Sequence, residues 1–426
     1  MMTTTSLSKL PEVSTASQLV KDYLRVRSES ESICAPLEIE DYGLQTIDDV
    51  SPPKWHLAHV SWFFETFILK PFSNNYKEFN PQFAHLFNSY YETVGTFHPR
   101  PERGLLARPT VAEVYQYRAH VDDAMQSLLA DESHTQYKEI TNRTILGLHH
   151  EQQHQELLFT DIKHIFAYSP LHPVYQNCDY PHVDNIAPIG WLDIDEGVCE
   201  TGHAGEGFAY DNEFPRHKNY LNGSRVANRL VTNGEFIEFI NAGAYQQPQW
   251  WLSEGWKTVQ QQNWSAPLYW QKQGGVWWYT TLSGFKPVDH NAPVCHVSLY
   301  EADAYARWAG KRLPSEIEWE FLAAQREIKG NLRDQQYYQP IAGANNNEQF
   351  YGDVWEWTQT SYSPYPGYVT PPGAIGEYNG KFMSSQFVLR GGSCVTPQEH
   401  IRATYRNFFY PGDRWQFSGI RLAEDK

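Results

Sequence analysis

The sequence predicts a chain in two parts, a four-helix bundle followed by an irregular α+β domain. Three observations carry this. The first ~165 residues hold segments whose apolar positions recur at helical spacing. From Tyr168-Ser169-Pro170 to Pro188-Ile189-Gly190 there are four prolines and no clear period, which reads as a linker. After Gly190 the residues Gly, Pro, Asn and Trp become frequent and helical periodicity mostly disappears. The expected organisation is a bundle over 1–168, a linker over 169–189 and a second domain over 190–426.

The elements follow in order. From about Ala16 to Val26, apolar positions fall at Leu19, Val20, Tyr23 and Leu24, which predicts a first helix. Ser51-Pro52-Pro53 opens a second, since proline fits a first helical turn. Its apolar residues are Trp55, Val60, Phe63, Phe64, Phe67 and Ile68. Thr110-Val111-Ala112-Glu113 is a capping box and precedes a stripe of Val114, Val121, Met125 and Leu128. The fourth helix is expected from about Ile140 to Ile165. Four amphipathic helices suggest a bundle, a fold that builds metal sites from facing helices. In the second part only Thr232 to Asn241 and Ser298 to Gly310 read as short helices. No fixed-period repeat or low-complexity segment appears.

Bulk properties exclude several classes. The 426 residues suffice for two to three domains of roughly 150 residues each. A hydrophobic content of 41% and a mean hydropathy of −0.59 describe a globular chain in water. No apolar run reaches the roughly 18 residues of a membrane span. Met1 to Leu10 lacks the apolar core of a secretory leader. A net charge of −16 without a basic patch disfavours a nucleic-acid partner. Cys34, Cys178, Cys199, Cys295 and Cys394 are odd in number and scattered, with no Cys-x-x-Cys. That argues against a disulfide framework or a structural zinc site and predicts a reducing cytoplasm. The aromatic content of 15% fits large aromatic cores or a substrate that favours aromatic faces. Nothing in the sequence sets an oligomeric state.

The chemistry centres on Gly147-Leu148-His149-His150-Glu151-Gln152-Gln153-His154-Gln155-Glu156. At about 100° per residue, His150 and His154 lie about 40° apart on the helical wheel. Two imidazoles at i and i+4 can bind one metal ion from a single face. They share that face with Gly147, Leu158 and Ile165, so they point into the bundle; a pair of buried, hydrogen-bonded histidines is the bland alternative. Glu156 lies about 160° from His154 and about 120° from His150. It cannot readily reach the same ion and is better placed as an interhelical or supporting partner. The third ligand must come from another helix. The second helix offers His56 and His59, and spacing alone does not choose between them. Three neutral imidazoles leave a divalent ion its full charge and three open positions. That suits Fe(II) with an anionic substrate such as a thiolate, plus dioxygen; ligand type alone also allows zinc.

Ser51-Pro52-Pro53-Lys54-Trp55-His56-Leu57-Ala58-His59, followed by the histidine pair in His150-Glu151-Gln152-Gln153-His154-Gln155-Glu156, resembles the helical, DinB-like domain of ergothioneine-biosynthesis sulfoxide synthases. These are non-haem iron enzymes. Further strings are similar to the formylglycine-generating-enzyme (sulfatase-modifying factor) fold, a C-type-lectin-like α+β domain. They are Val231-Thr232-Asn233-Gly234-Glu235-Phe236, Lys311-Arg312-Leu313-Pro314-Ser315-Glu316-Ile317-Glu318-Trp319-Glu320, Gly352-Asp353-Val354-Trp355-Glu356-Trp357-Thr358 and Leu389-Arg390-Gly391-Gly392-Ser393. The resemblance implies Fe(II) held by His59, His150 and His154, with His56 left to packing or support. It implies an oxidoreductase in which cysteine sulfur becomes attached to the imidazole carbon between the nitrogens of hercynine (trimethylhistidine). The sulfur is oxidised to a sulfoxide with O2. A proton or electron donor near the oxygen is needed, or the thiolate alone is oxidised to a sulfinate.

The resemblance also implies site residues. In one branch of the family a Tyr-Tyr pair supplies the donor, which maps to Tyr90 and Tyr91 as the catalytic hydroxyls. The other branch uses a tyrosine of the second domain, for which Tyr362 and Tyr365 are the candidates. Gln153 maps to a hercynine contact. Within Tyr405 to Phe417, which matches the family's substrate loop, Asn407 maps to the hercynine carboxylate. Phe408 and Phe409 lie near its ring or cation, and Arg414 and Trp415 complete the loop. Aromatic faces attract a trimethylammonium group. Arg100 and Arg103 match the loop that grips the thiol substrate's carboxylate, a task suited to the guanidinium fork. The branch using γ-glutamylcysteine is expected to carry a basic residue where this chain has Asp413, so free cysteine is the expected substrate.

Three other readings compete. Ovothiol-type synthases join cysteine to unmethylated histidine and usually carry a further methyltransferase domain, which is not expected here. Formylglycine generation needs a reactive cysteine pair near the end of the fold; Cys394 has no such neighbour and is expected to be structural. The non-enzyme alternative is a lectin-like binding module on a helical bundle.

Overall fold

The computed structural model describes residues 16–343 and 348–426; the N-terminal segment read above for a leader lies outside them. Two compact units are present. Among the described residues, the first comprises 16–168, Ala204–Phe208 and Pro371–Tyr378; the second comprises Ser169–His203, Ala209–Thr370 and Asn379–Lys426.

Four long helices build the first unit: α1 (Ala16–Cys34), α2 (Pro53–Phe64), α3 (Val111–Leu129) and α4 (Tyr137–Tyr168). Helix α1 runs eight residues beyond the Val26 expected from periodicity, ending at Cys34. The reason is that Arg27 and Ser30, polar by type, are buried and bond Glu151 of α4 at 2.9 and 2.7 Å. Polar residues on the inner face hide the apolar period. Pro53 occupies the first turn of α2, whose residues are buried all round except Lys54, so this helix forms the bundle's centre. One π-helical turn, Glu65–Leu69, extends it. The Thr110–Glu113 capping box forms at the start of α3, satisfying amides that have no helical partner.

A buried ionic layer ties the helices together. Glu151 accepts from Arg27 Nη1 at 2.9 Å and from Arg118 Nη2 at 3.2 Å, and both arginines are almost fully buried. Arg118 also donates to the carbonyls of Leu57 and Arg27. Side chains from α1, α3 and α4 thus meet on one carboxylate, and α2 is held through Leu57 O and through Ser61 Oγ, which accepts from Arg27 Nη2 at 2.7 Å. Helix α4 comes so close to α2 at Gly147 that an added Cβ would lie 2.6 Å from Phe64 Cε1.

The second unit is rich in short strands. A three-stranded antiparallel sheet sets β4 (Ser224–Ala227) between β1 (Trp191–Ile194) and β12 (Ala423–Asp425). A hairpin pairs β2 (Gly197–Thr201) with β3 (His217–Leu221), and a meander joins β5 (Trp270–Gln273), β6 (Val276–Thr281) and β7 (Gly284–Pro287). The central sheet has the order β10 (Asn407–Phe409), β9 (Phe387–Arg390), β8 (Trp355–Ser361), β11 (Ser418–Gly419), with only β11 parallel to its neighbour. Its helices are α5 (Asn233–Asn241), α6 (Ser253–Gln262), α7 (Leu299–Trp308) and α8 (Glu316–Ala323). Three of these open on capping boxes, at Thr232–Glu235, Ser298–Glu301 and Ser315–Glu318.

The motif strings of this half build its core. Trp319, Trp355 and Trp357 are fully buried. Arg390 bonds Glu316 at 2.8 Å and Glu320 at 2.9 Å, and Arg421 bonds Glu356 at 2.6 Å. The proline-rich stretch 169–189 has no regular structure but is pinned within this unit, with Tyr175 N and Gln176 N donating to Leu282 O at 2.9 and 3.1 Å. Among the described residues no helix is long and apolar enough to cross a membrane.

Candidate metal centre

His59 on α2 and His150 and His154 on α4 converge, each offering a ring nitrogen within 4.8 Å of the other two. His59 Nε2 lies 3.3 Å from His150 Nε2. Two cis ligands at about 2.1 Å from one ion stand about 3.0–3.4 Å apart, so this pair has metal-site spacing.

The remaining nitrogens orient the rings. His59 Nδ1 meets Phe87 O at 2.6 Å, and its ring lies flat between Trp55 (4.6 Å, 9°) and Trp62 (5.5 Å, 17°). His154 Nδ1 meets His56 Nδ1 at 2.8 Å, and His56 Nε2 reaches Asp161 Oδ2 at 2.9 Å. His150 packs on Phe63 at 4.6 Å, and its Nδ1 has no hydrogen-bond partner among the described residues.

All three bases are held neutral. Burial pushes His150 down to about 3. Burial, then His150, and further Arg103 and His56, hold His59 well below its usual value against the pull of Phe87 O. Burial and the neighbouring imidazoles of His59, His150 and His56 do the same to His154. Three neutral nitrogens converging at two buried histidines and one partly buried one fit a divalent ion on donor chemistry and spacing alike. Glu156 is buried but is not one of this group.

Tyr91 is fully buried against Trp62 (5.6 Å) and Phe67 (5.1 Å), and Tyr90 stacks on it with hydroxyls 3.5 Å apart. Trp62 links this pair to His59. A third tyrosine was not visible in the sequence. Tyr378 lies edge-on to His150 at 5.6 Å and donates its hydroxyl to Gln153 Oε1. It is separated from Gln153 by 225 residues, and no spacing signal connects them. The preceding Glu377 accepts from Glu92 N and Thr93 N, both at 3.1 Å, and from the Thr93 hydroxyl. It thereby holds the turn that follows Tyr90-Tyr91. The alternatives Tyr362 and Tyr365 belong to the second unit. There the Tyr362 hydroxyl accepts from Asn212 at 2.9 Å and Tyr365 pairs with Arg390 and Glu316.

The two arginines part company. Arg103 is buried, its guanidinium 3.4 Å above the Trp55 ring that stacks on His59. It donates to Ser51 Oγ at 2.9 Å, and its Nε has no partner among the described residues. Burial and the nearby Arg100 cation pull its pKa well down, against the opposing pull of Asp161. Arg100 is exposed and engages Asp49 through the backbone carbonyl and the carboxylate.

In the second unit Asn407 lies on β10, its Oδ1 accepting from Phe408 N at 2.9 Å. Phe408 stacks on Tyr362 at 4.0 Å, and Phe409 meets the buried Trp415 edge-on at 6.0 Å. Arg414 bonds Glu301 at 3.0 Å and lies over Trp264 at 3.8 Å, so its charge is already matched. Asp413 accepts from Tyr410 N at 3.0 Å, closing a turn.

Comparison with known proteins gives a family match for each part of the chain. Residues 22–158 match the DinB superfamily, and 190–342 and 332–426 match the sulfatase-modifying factor enzyme 1-like domain. A hercynine oxygenase of Mycobacterium tuberculosis is 29% identical over 405 residues, covering 88% of this chain and 91% of its own. One from Mycolicibacterium thermoresistibile is 30% identical over 413 residues, covering 88% of each. The ergothioneine biosynthesis protein 1 of Schizosaccharomyces pombe is 26% identical over 232 residues, 51% of this chain and 28% of its own. The chain belongs to the hercynine oxygenase family, the oxygen-using oxidoreductases of ergothioneine biosynthesis that carry a DinB-type helical bundle ahead of a C-type-lectin-like, sulfatase-modifying-factor domain.

Proposed function

We propose that this chain joins the sulfur of free cysteine to imidazole C2 of hercynine, with dioxygen as oxidant, giving hercynylcysteine sulfoxide. The reaction balances: one S–H and one C–H are lost, a C–S bond forms, one oxygen atom goes to sulfur and the other leaves as water. The observation that carries the reading is the convergence of His59, His150 and His154 as neutral bases in one buried site. Iron(II) held there would supply a redox-active Lewis acid with open positions for anionic substrate and oxygen.

The chain's own groups position the reactants. Arg103 is proposed to bind the cysteine carboxylate, which would give a direct partner to its buried guanidinium, whose Nε has none among the described residues. Arg100, exposed and beside Asp49, is left an outer role in steering anions. Gln153 is proposed to meet hercynine, its amide oriented by Tyr378. Asn407 is proposed for the hercynine carboxylate and Phe408 and Phe409 for the trimethylammonium group. Arg414 and Trp415 would support that loop. Tyr91, with Tyr90 stacked on it, and Tyr378 are the hydroxyls proposed to hold the proton that directs oxidation to coupling rather than to sulfinate. A cytoplasmic setting goes with this reading, since all five cysteines are free thiols.

The test is an aerobic reaction of the purified protein with Fe(II), cysteine and hercynine, followed by mass analysis. The expected product has the mass of the two substrates plus O2 less water. Coupling to histidine in preference to hercynine would favour an ovothiol-type reaction, and a strong preference for γ-glutamylcysteine would overturn the choice of free cysteine.

A further inference from the structure

Behind the metal centre lies a second polar chain that the reaction itself does not require. Asp161 Oδ2 accepts from Ser51 N at 2.8 Å and meets His56 Nε2 at 2.9 Å. His56 Nδ1 meets His154 Nδ1 at 2.8 Å. His56 and Asp161 are each 2% exposed. We propose that His56 and Asp161 are positioning residues that fix His154 in the tautomer with its proton on Nδ1, leaving Nε2 as the only metal-binding nitrogen. The proposal rests on the three-histidine metal reading above.

The argument is one of donors and acceptors. An amide N–H already donates to Asp161 Oδ2, so that oxygen acts as an acceptor, and His56 must donate to it from Nε2. A neutral imidazole with its proton on Nε2 has only a lone pair on Nδ1. The close Nδ1–Nδ1 contact is then a hydrogen bond only if His154 is the donor. The order runs one way, from His154 through His56 to Asp161. Ligand histidines commonly donate their second nitrogen to a carboxylate or carbonyl, which sets the tautomer and raises ligand basicity. Here His59 does this directly to Phe87 O, and His154 does it through an inserted imidazole. That insertion accounts for two histidines three residues apart on α2. One binds the ion and the other holds a ligand of the facing helix.

Cobalt(II) titration of the full-length protein tests the proposal, with affinity measured by chelator competition and geometry read from the visible d–d bands. His56→Leu is expected to weaken cobalt binding about 10- to 100-fold and to shift the bands. His56→Gln, which can accept through its oxygen and donate through its nitrogen, is expected to retain most of the affinity. Asp161→Asn is expected to fall between them, and it decides the matter with His56→Gln if His56→Leu does not fold. Wild-type affinity and an unshifted spectrum in both His56→Leu and Asp161→Asn would overturn the relay while leaving the metal site standing. A wild-type protein that bound no cobalt would overturn the metal reading, and the relay with it.

Discussion

Three imidazoles held neutral, His59 and His150 buried and His154 partly so, are a liability to the metal-free protein in acid. His150 has its pKa pushed from 6.5 to about 3 by burial, so between those values the unfolded chain binds a proton that the folded chain refuses. Stability of the stripped protein therefore falls as the pH drops from 6.5 towards 3, by about 2 kcal/mol at pH 5 for this one group. Denaturant melts of chelator-treated protein at pH 7 and pH 5 measure the loss, which should shrink in His150→Leu; an unchanged loss would count against the assignment. The tyrosines are separable by the same kind of comparison. Tyr378 touches both His150 and Gln153, whereas Tyr91 reaches His59 through Trp62. Tyr378→Phe is expected to raise the ratio of cysteine sulfinate to coupled product about tenfold or more and to weaken hercynine binding. Tyr91→Phe should alter the ratio with little change in hercynine KM. Equal, unchanged ratios in both variants would remove the tyrosines from the proton's path.

At the scale of elements, the site depends on how closely α4 approaches α2. Gly147 lies one turn before His150, and a Cβ there would stand 2.6 Å from Phe64 Cε1 and 3.0 Å from Phe63 Cε1. Alanine favours helices over glycine by about 1 kcal/mol, yet the overlap costs about 1–3 kcal/mol. Gly147→Ala should therefore lower Tm rather than raise it, and weaken metal binding by moving His150. A higher Tm would show that the rings yield freely. Glu151 is the opposite kind of contact, a carboxylate held by two buried arginines. Glu151→Ala removes their shared partner while Arg27 keeps Asp122 and Arg118 keeps Glu31, and should cost about 1–3 kcal/mol by chemical denaturation. A loss below about 1 kcal/mol would mean that water enters the layer. The polar composition of this layer also explains why the end of α1 was not legible as amphipathic helix. Helix α8, by contrast, is too short for periodicity, and its Ser315–Glu318 capping box is the signal that marks it.

For the whole molecule, any ion that binds the native three-histidine site and not the unfolded chain raises stability by mass action. Loading chelator-stripped protein with Fe(II) under argon should raise Tm, and His59→Ala should abolish that rise while leaving the stripped protein folded. A metal-independent Tm in the wild-type protein would contradict the site. Much of this arrangement was legible in the chain. The helical spacing of His150 and His154 placed both on one face and kept Glu156 off it, because wheel angles depend on local geometry alone. Pro53 and the Thr110–Glu113 box marked helix starts for the same reason. Residue spacing could not choose between His56 and His59, since both sit on a helix buried all round. Only packing put His59 Nε2 beside His150 and turned His56 to hold His154. Nor could it separate the exposed Arg100 from the buried Arg103, or bring Tyr378 to Gln153. The sequence by itself determined the four helices of the bundle, the shared face of His150 and His154 and the family motifs, all of which are local in the chain. The tertiary structure alone decided which distant side chains meet, because a contact between α2, α4 and the segment 371–378 exists only once their shared core has been buried.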